Sequence, residues 1–274
     1  GEARMIPLVG PFSEIAKRRF DLKCKRIASG TKKSTAVKLT VGVLVASMLI
    51  FICLGAEVVR EAAIANAAEQ KVQADGGASL KDENPDYAGW LSVEGTSIST
   101  PVVSCRQGDQ NGFYLNHGFD RLPSFSGCPF IAEGSSPSST NMLVYAHNMG
   151  YGNLGFTELQ NCYRTDCFAN IGAATFTIAN GKTIRYRPLL GMRVPKNFDL
   201  LLRFDFAGES DFKAWLNSLA EHASAKSDFA DSDSVITLVT CSSAIGGDRY
   251  RSVLSLRKSV IRTGWRHSLQ SGFA

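Results

Sequence analysis

A cysteine, a histidine and an arginine, each at one end of a short β-rich run, are the residues of this sequence best suited to acyl transfer. Cys241 closes TLVTC (237–241), His147 sits in VYAHN (144–148), and Arg249 and Arg251 belong to DRYRSVL (248–254). A thiol at the rim of a sheet becomes a nucleophile when a neighbouring cation favours its thiolate. A histidine can supply that cation or carry a proton as acid and base. The tetrahedral intermediate also needs donors for its oxyanion, and a guanidinium offers a permanent charge on a planar fork. Arg249 lies eight residues beyond Cys241, so a hairpin returning from the cysteine could bring it back over the sulfur. Arg251 alternates onto the same sheet face, and alternation does not separate the two. Thr240 and the backbone N–H groups near Cys241 are further candidate donors. Taken singly, a strand-end cysteine is more often a small buried hydrophobe and a lone histidine a structural residue. His117, in a loop-like stretch, His222, on the polar side of a helix, and His267, near the chain end, compete poorly with His147.

These residues need strands to hold them. Met142–Tyr145 and Val235–Val239 are β-rich apolar runs of buried-strand length, and each leads into a reactive residue. Tyr87–Val103 reads as a strand pair interrupted at Glu94-Gly95-Thr96, and Thr175–Ile178 and Thr183–Tyr186 flank Asn180-Gly181, a strong hairpin signal. Between that hairpin and Val235, Ser210 as N-cap and Asp211 in the first turn predict a helix. It presents Phe212, Trp215, Leu216 and Leu219 on one face. Several short strands with one helix inserted late predict a mostly β fold, a largely antiparallel closed barrel with helical decoration.

The charge is segregated. Residues 1–38 hold ten of the 30 Lys and Arg against three of the 25 acids, leaving 20 basic and 22 acidic residues in 39–274. The net charge of +5 therefore reflects the N-terminal stretch, and a nucleic-acid partner is excluded for the globular part. Leu39–Ala56 runs 18 residues without a charge, and Val58 and Val59 extend it, which predicts a single transmembrane helix. The basic residues before it place the N-terminus in the cytoplasm and the bulk of the chain outside. An uncleaved anchor is expected rather than a signal peptide, because the run exceeds a usual signal core and the nearest Ala-x-Ala site, 65–67, lies well downstream. Beyond the run stand Cys105, Cys128, Cys162, Cys167 and Cys241, an odd number. If the others pair, one exported thiol is left over; the spacing leaves the pairing open. Cys162 and Cys167 lack the partners of a metal site, so no metal and no cofactor are expected.

TLVTC with a downstream arginine resembles the sortase signature Thr-Leu-x-Thr-Cys, and VYAHNM is similar to the Tyr-Gly-His-Asn-Met of class B sortases, with Ala146 in the glycine position. NPDYAGWL (84–91), Tyr114-Leu115 and NLGFTEL (153–159) agree, and the resemblance runs from about Asn84 to Leu256. It implies a sortase-like closed β-barrel and a cysteine transpeptidase. Cys241 would form a thioester at the Thr of a C-terminal sorting signal, His147 would protonate the leaving amine, and Arg249, favoured over Arg251 on the match of Asp-Arg-Tyr, would hold the substrate or oxyanion. Thr240 and Arg251 would contribute to substrate binding. The implied partners are surface proteins with NPxT- or LPxT-like signals and a peptidoglycan cross-bridge or precursor amine, with a pilin lysine as another possible acceptor. The 94 residues from His147 to Cys241 leave room for the helix that class B enzymes carry. The expected domains are a basic cytoplasmic tail (1–38), an anchor (39–59), a helical stalk and linker (60–83), the catalytic domain (84–257) and a C-terminal tail (258–274). A cysteine peptidase using the same pair, or a non-catalytic membrane-tethered surface domain, are the competing readings.

Overall fold

The structure, a computed structural model, describes residues 12–105, 112–150, 152, 154–228, 232–243 and 249–259, with the backbone alone for 12–20 and 23–36. Most side chains of the basic stretch, and all but the first residues of the expected C-terminal tail with His267, lie outside the described residues.

The chain divides into two compact units between Val59 and Arg60. Helix α1 (Phe12–Asp75) runs through that division, and its portion Val37–Asp75 is long and apolar enough to cross a membrane. Its large apolar side chains are exposed, Phe51 at 75%, as a lipid-facing helix requires.

In the second unit, α2 (Leu80–Glu83) leads into β1 (Tyr87–Val93), which pairs antiparallel with β2 (Ser99–Ser104) across the turn at Gly95. Gly95 has φ 79°, and a Cβ there would lie 2.0 Å from the Asn170 carbonyl oxygen, so only glycine fits. There follow β3 (Phe130–Ile131), β4 (Asn141–Tyr145), a short α3 (Thr165–Phe168), β5 (Ala174–Ile178) and β6 (Thr183–Pro195). The Asn180-Gly181 hairpin joins β5 and β6 as expected. After α4 (Glu209–Glu221) come β7 (Ala225–Lys226), β8 (Val235–Cys241) and β9 (Tyr250–Lys258).

The sheet order is β5-β1-β2-β3-β4-β8-β9-β6, and β5 also pairs with β6, closing eight strands into a barrel with β7 added along β6. All neighbours are antiparallel except β2–β3 and β4–β8. The barrel is filled by residues from all eight strands, among them Leu91, Val102, Ile131, Val144, Phe176 and Leu238. The mostly β, closed-barrel expectation is therefore met.

Helix α4 covers part of the outer face. Phe212, Trp215, Leu216 and Leu219 are all buried, packed with Leu143, Met192, Val239 and Val253 of β4, β6, β8 and β9. Ser210 is not the N-cap: the helix begins at Glu209 after Gly208 without a side-chain cap. Asp211, in the first turn, instead accepts the N–H of Ala207, ahead of the helix, at 2.9 Å and pairs with Arg203. Trp215 also donates its Nε1–H to the Leu200 carbonyl at 2.8 Å. Trp215→Ala is expected to destabilise the unit by about 3–5 kcal/mol through the cavity and the lost hydrogen bond, read as a lower urea midpoint at unchanged slope.

Residues 60–83 pack into the second unit rather than forming a detached stalk. Ala68 and Leu80 are buried with Tyr87, Trp90 and Phe130, and Ile64 and Val72 lie against them. The Ser99 hydroxyl donates to Glu69 at 2.9 Å and in turn accepts the Trp90 Nε1–H at 3.1 Å. The alanine-rich composition that suggested a stalk also suits a helix that must approach a sheet closely.

Candidate active site

Parallel pairing of β4 and β8 sends both strands out at the same rim, which is why a histidine and a cysteine 94 residues apart can meet. Tyr145 pairs with Val239, and the Ala146 N–H donates to the Val239 carbonyl at 3.1 Å. His147 and Cys241 each lie two residues beyond this last pair, at the same rim. On the other side of β8, β9 runs antiparallel and pairs Cys241 directly with Arg251, which is itself opposite Val194 of β6. Cys241 and Arg251 thus form one row of the β8–β9 ladder, at the rim where His147 follows β4 by two residues. By alternation this row shares the outer face with Val239 and Val253, one step beyond the patch that α4 covers.

Directly opposed residues have Cβ atoms about 4.5–5.5 Å apart, so the Arg251 guanidinium is within reach of the sulfur. Arg249 lies one rung further out, beyond the last paired residue of β8; it is exposed, and its carbonyl accepts the Lys196 N–H at 2.9 Å. The structure therefore brings Arg251, rather than Arg249, into register with Cys241. The resemblance of Asp-Arg-Tyr pointed the other way, and alternation could not decide because the two arginines share a face. Arg251 also acts on Tyr145 in the next row: burial pushes that phenol's pKa up, and the guanidinium opposes the rise.

The histidine is held from two directions. Its Nε2 lies 2.8 Å from the Leu115 carbonyl oxygen; because a carbonyl only accepts, Nε2 carries the proton there and Nδ1 carries the lone pair in the neutral ring. This partner is a main-chain oxygen, where a catalytic triad would place a carboxylate. The His147 carbonyl accepts the Phe156 N–H at 2.8 Å, and Gly155 (φ 59°) passes so close that a Cβ would sit 2.4 Å from that oxygen. His117 stacks on Phe113 and contacts its carbonyl, while His222 caps α4 against Phe198; neither enters the row.

Thr240 faces the other way. It is buried at 2% exposure, and its hydroxyl donates to the Ala146 carbonyl at 2.9 Å, tying β8 to the backbone just before His147. Asn148 completes the tie: buried at 7% exposure, it donates from Nδ2 to the Cys241 carbonyl at 2.9 Å and to Gln160 Oε1 at 3.2 Å, while its Oδ1 accepts the Gly150 N–H. Neither Asn148 nor Leu115 emerged as a site residue from the sequence. Asn148 sat within the recognised VYAHN, whereas a main-chain contact from Leu115 leaves no signature. Asn148→Ala is expected to leave the barrel folded, lower the melting temperature through a buried carbonyl left unpaired, at about 1–3 kcal/mol, and reduce kcat more than it raises KM.

The other cysteines differ from Cys241. None of the five beyond the apolar run is joined in a disulfide, so pairing does not single out the odd one; environment does. Cys128 and Cys162 are buried, and desolvation pushes the thiol of Cys162 up to about 12 and that of Cys128 higher still, which keeps them inert. Cys241 is half-buried at a strand end.

No protein-family model matches the chain. Its sequence is 26% identical over 181 residues to sortase B of Staphylococcus aureus, covering 64% of this chain and 71% of that protein. It is 24% identical over 179 residues to sortase B of Listeria monocytogenes, covering 64% and 70%. The X-ray structure of Clostridium perfringens sortase B superposes with a TM-score of 0.59 at 27% identity, over 66% of this chain and 98% of that one. Together these likenesses support a sortase-type cysteine transpeptidase, of class B.

Proposed function

We propose that this enzyme cleaves a C-terminal sorting signal after threonine and transfers the new carboxyl end to a cell-wall amine or a pilin lysine, with Cys241, His147 and Arg251 as the working residues. The pairing of Arg251 with Cys241, at the rim to which β4 leads His147, supports the reading. The Cys241 thiolate attacks the threonine carbonyl, and the oxyanion develops at the rim where Arg251 offers N–H donors. Collapse of the tetrahedral intermediate expels the distal peptide, whose amine takes a proton from the His147 imidazolium, and leaves an acyl thioester on Cys241. An incoming primary amine then loses a proton to His147 and attacks the thioester, forming an amide and releasing the thiolate. Arg249, on the rim beyond Arg251, serves substrate contact rather than the reacting carbonyl, and Thr240 holds the frame.

The apolar part of α1 is read as a single-pass anchor with the basic N-terminal stretch in the cytoplasm and the barrel outside. Residues 60–257 then act as one catalytic unit on surface-protein substrates and a peptidoglycan precursor or cross-bridge amine. Incubation of the full chain in detergent with NPxT- and LPxT-type peptides plus triglycine, followed by mass spectrometry, tests this. A ligated product names the motif. Cleavage without ligation would instead establish a peptidase.

A further inference from the structure

Two stretches outside the chemistry proposed above, residues 84–86 ahead of β1 and the 3-10 turn Phe113–Leu115, meet in one buried hydrogen-bond network. Tyr114 is 2% exposed, and its hydroxyl donates to Asp86 Oδ2 at 2.6 Å while accepting from Asn84 Nδ2 at 3.1 Å. Asn84, fully buried, also donates to the Phe119 carbonyl at 2.7 Å, and its Oδ1 accepts the Asp86 N–H at 2.9 Å. Burial and the bond to Asp86 push the Tyr114 phenol's pKa up, so it stays a neutral donor. Phe113–Leu115 is a single turn without a side-chain cap. A 3-10 turn so short has little stability of its own, so its surroundings must set where it lies. The Tyr114 side chain is held by Asp86 and Asn84, and the Tyr114 carbonyl accepts the Cys128 N–H at 2.9 Å. Gly127 (φ 63°) packs so closely that a Cβ there would lie 2.9 Å from the Leu115 carbonyl oxygen. That oxygen is the one that takes the His147 Nε2 proton at 2.8 Å.

We infer that Asp86 and Tyr114 are positioning residues for the transfer reaction: through the Leu115 carbonyl they hold the His147 imidazole in the tautomer that leaves Nδ1 free to accept a proton. A catalytic triad places its carboxylate directly on the histidine. Here the carboxylate binds a phenol instead, and the main chain from Tyr114 to Leu115 carries the constraint to the ring. A neutral carbonyl orients the imidazole without adding a charge beside it. Without a fixed Leu115 oxygen the ring would divide between two tautomers, one of which carries its proton on the nitrogen that must receive one.

The inference rests on the reading of His147 as the acid and base, and the experiment reports on the two separately. The full chain, labelled with ring-15N histidine, is compared in detergent as wild type, Tyr114→Phe, Asp86→Ala and Asp86→Asn, with His147→Ala to assign the resonances. At alkaline pH, where an imidazole is neutral, the wild type should show His147 as a single tautomer protonated at Nε2. Tyr114→Phe and Asp86→Ala should narrow the separation between its two nitrogen shifts. They should also lower kcat for ligation of an NPxT-type peptide to triglycine by about 10-fold to 10²-fold, the scale of a misplaced catalytic group, with KM within about twofold. Asp86→Asn keeps an oxygen for the phenol and should restore most of both. An unchanged tautomer in Tyr114→Phe, whatever the rate or the melting temperature, would overturn the inference. Narrowed shifts at an unchanged kcat would uphold the positioning and remove His147 from the mechanism instead.

Discussion

His147→Ala is expected to lower kcat/KM for peptide ligation by about 10²–10⁴-fold, the range that general acid–base catalysis supplies. Both half-reactions move a proton at the imidazole: the leaving amine must gain one and the attacking amine must lose one. Thioester formation and its aminolysis should therefore both slow. The melting temperature should change little, because the ring is half-buried and its contact to the protein is one hydrogen bond to Leu115. Chemical rescue is the sharper readout: added imidazole should restore part of the rate. Equal rates for variant and wild type would remove His147 from the mechanism.

Arg251→Ala is expected to cost about 10²–10³ in kcat, as loss of an oxyanion donor does, whereas Arg249→Ala should cost less than about fivefold and act on KM, as an exposed charge at the rim would. Arg251→Lys should recover only part of the loss, since an ammonium does not reproduce the planar fork. The contrast follows from register: Arg251 is paired with Cys241, and Arg249 lies beyond the end of the ladder. Steady-state kinetics on the two alanine variants decide it, and a larger kcat loss in Arg249→Ala would reverse the assignment.

These residues show where sequence reasoning succeeds and where it stops. The runs that became β4 and β8 were legible because buried strands need apolar β-branched residues, and the Asn180-Gly181 turn because its backbone demands positive φ, here 84° at Gly181. The buried face of α4 followed from its period, while its start did not: the helix begins at Glu209, ahead of Ser210, with no side-chain cap. Cys241 and His147 could be named from their motifs. That both lie at one rim depends on a parallel pairing of strands far apart in the chain, which local pattern does not encode. Which arginine falls opposite Cys241 depends on the β8–β9 register, which alternation does not reveal. Thr240 was read as a donor to substrate because it precedes the cysteine; alternation turns it to the opposite face, toward Ala146. Leu115 and Asn148 position the site through backbone and carboxamide contacts whose partners are distant in sequence.

The most direct test of the central claim is intact-mass analysis of the full chain in detergent, mixed with a sorting-signal peptide and no acceptor. An adduct equal to the acyl portion of the peptide should appear on Cys241, be absent in Cys241→Ala, and disappear when triglycine is added, with the ligated peptide formed in its place. An adduct mapped to another cysteine, or ligation by Cys241→Ala, would contradict it.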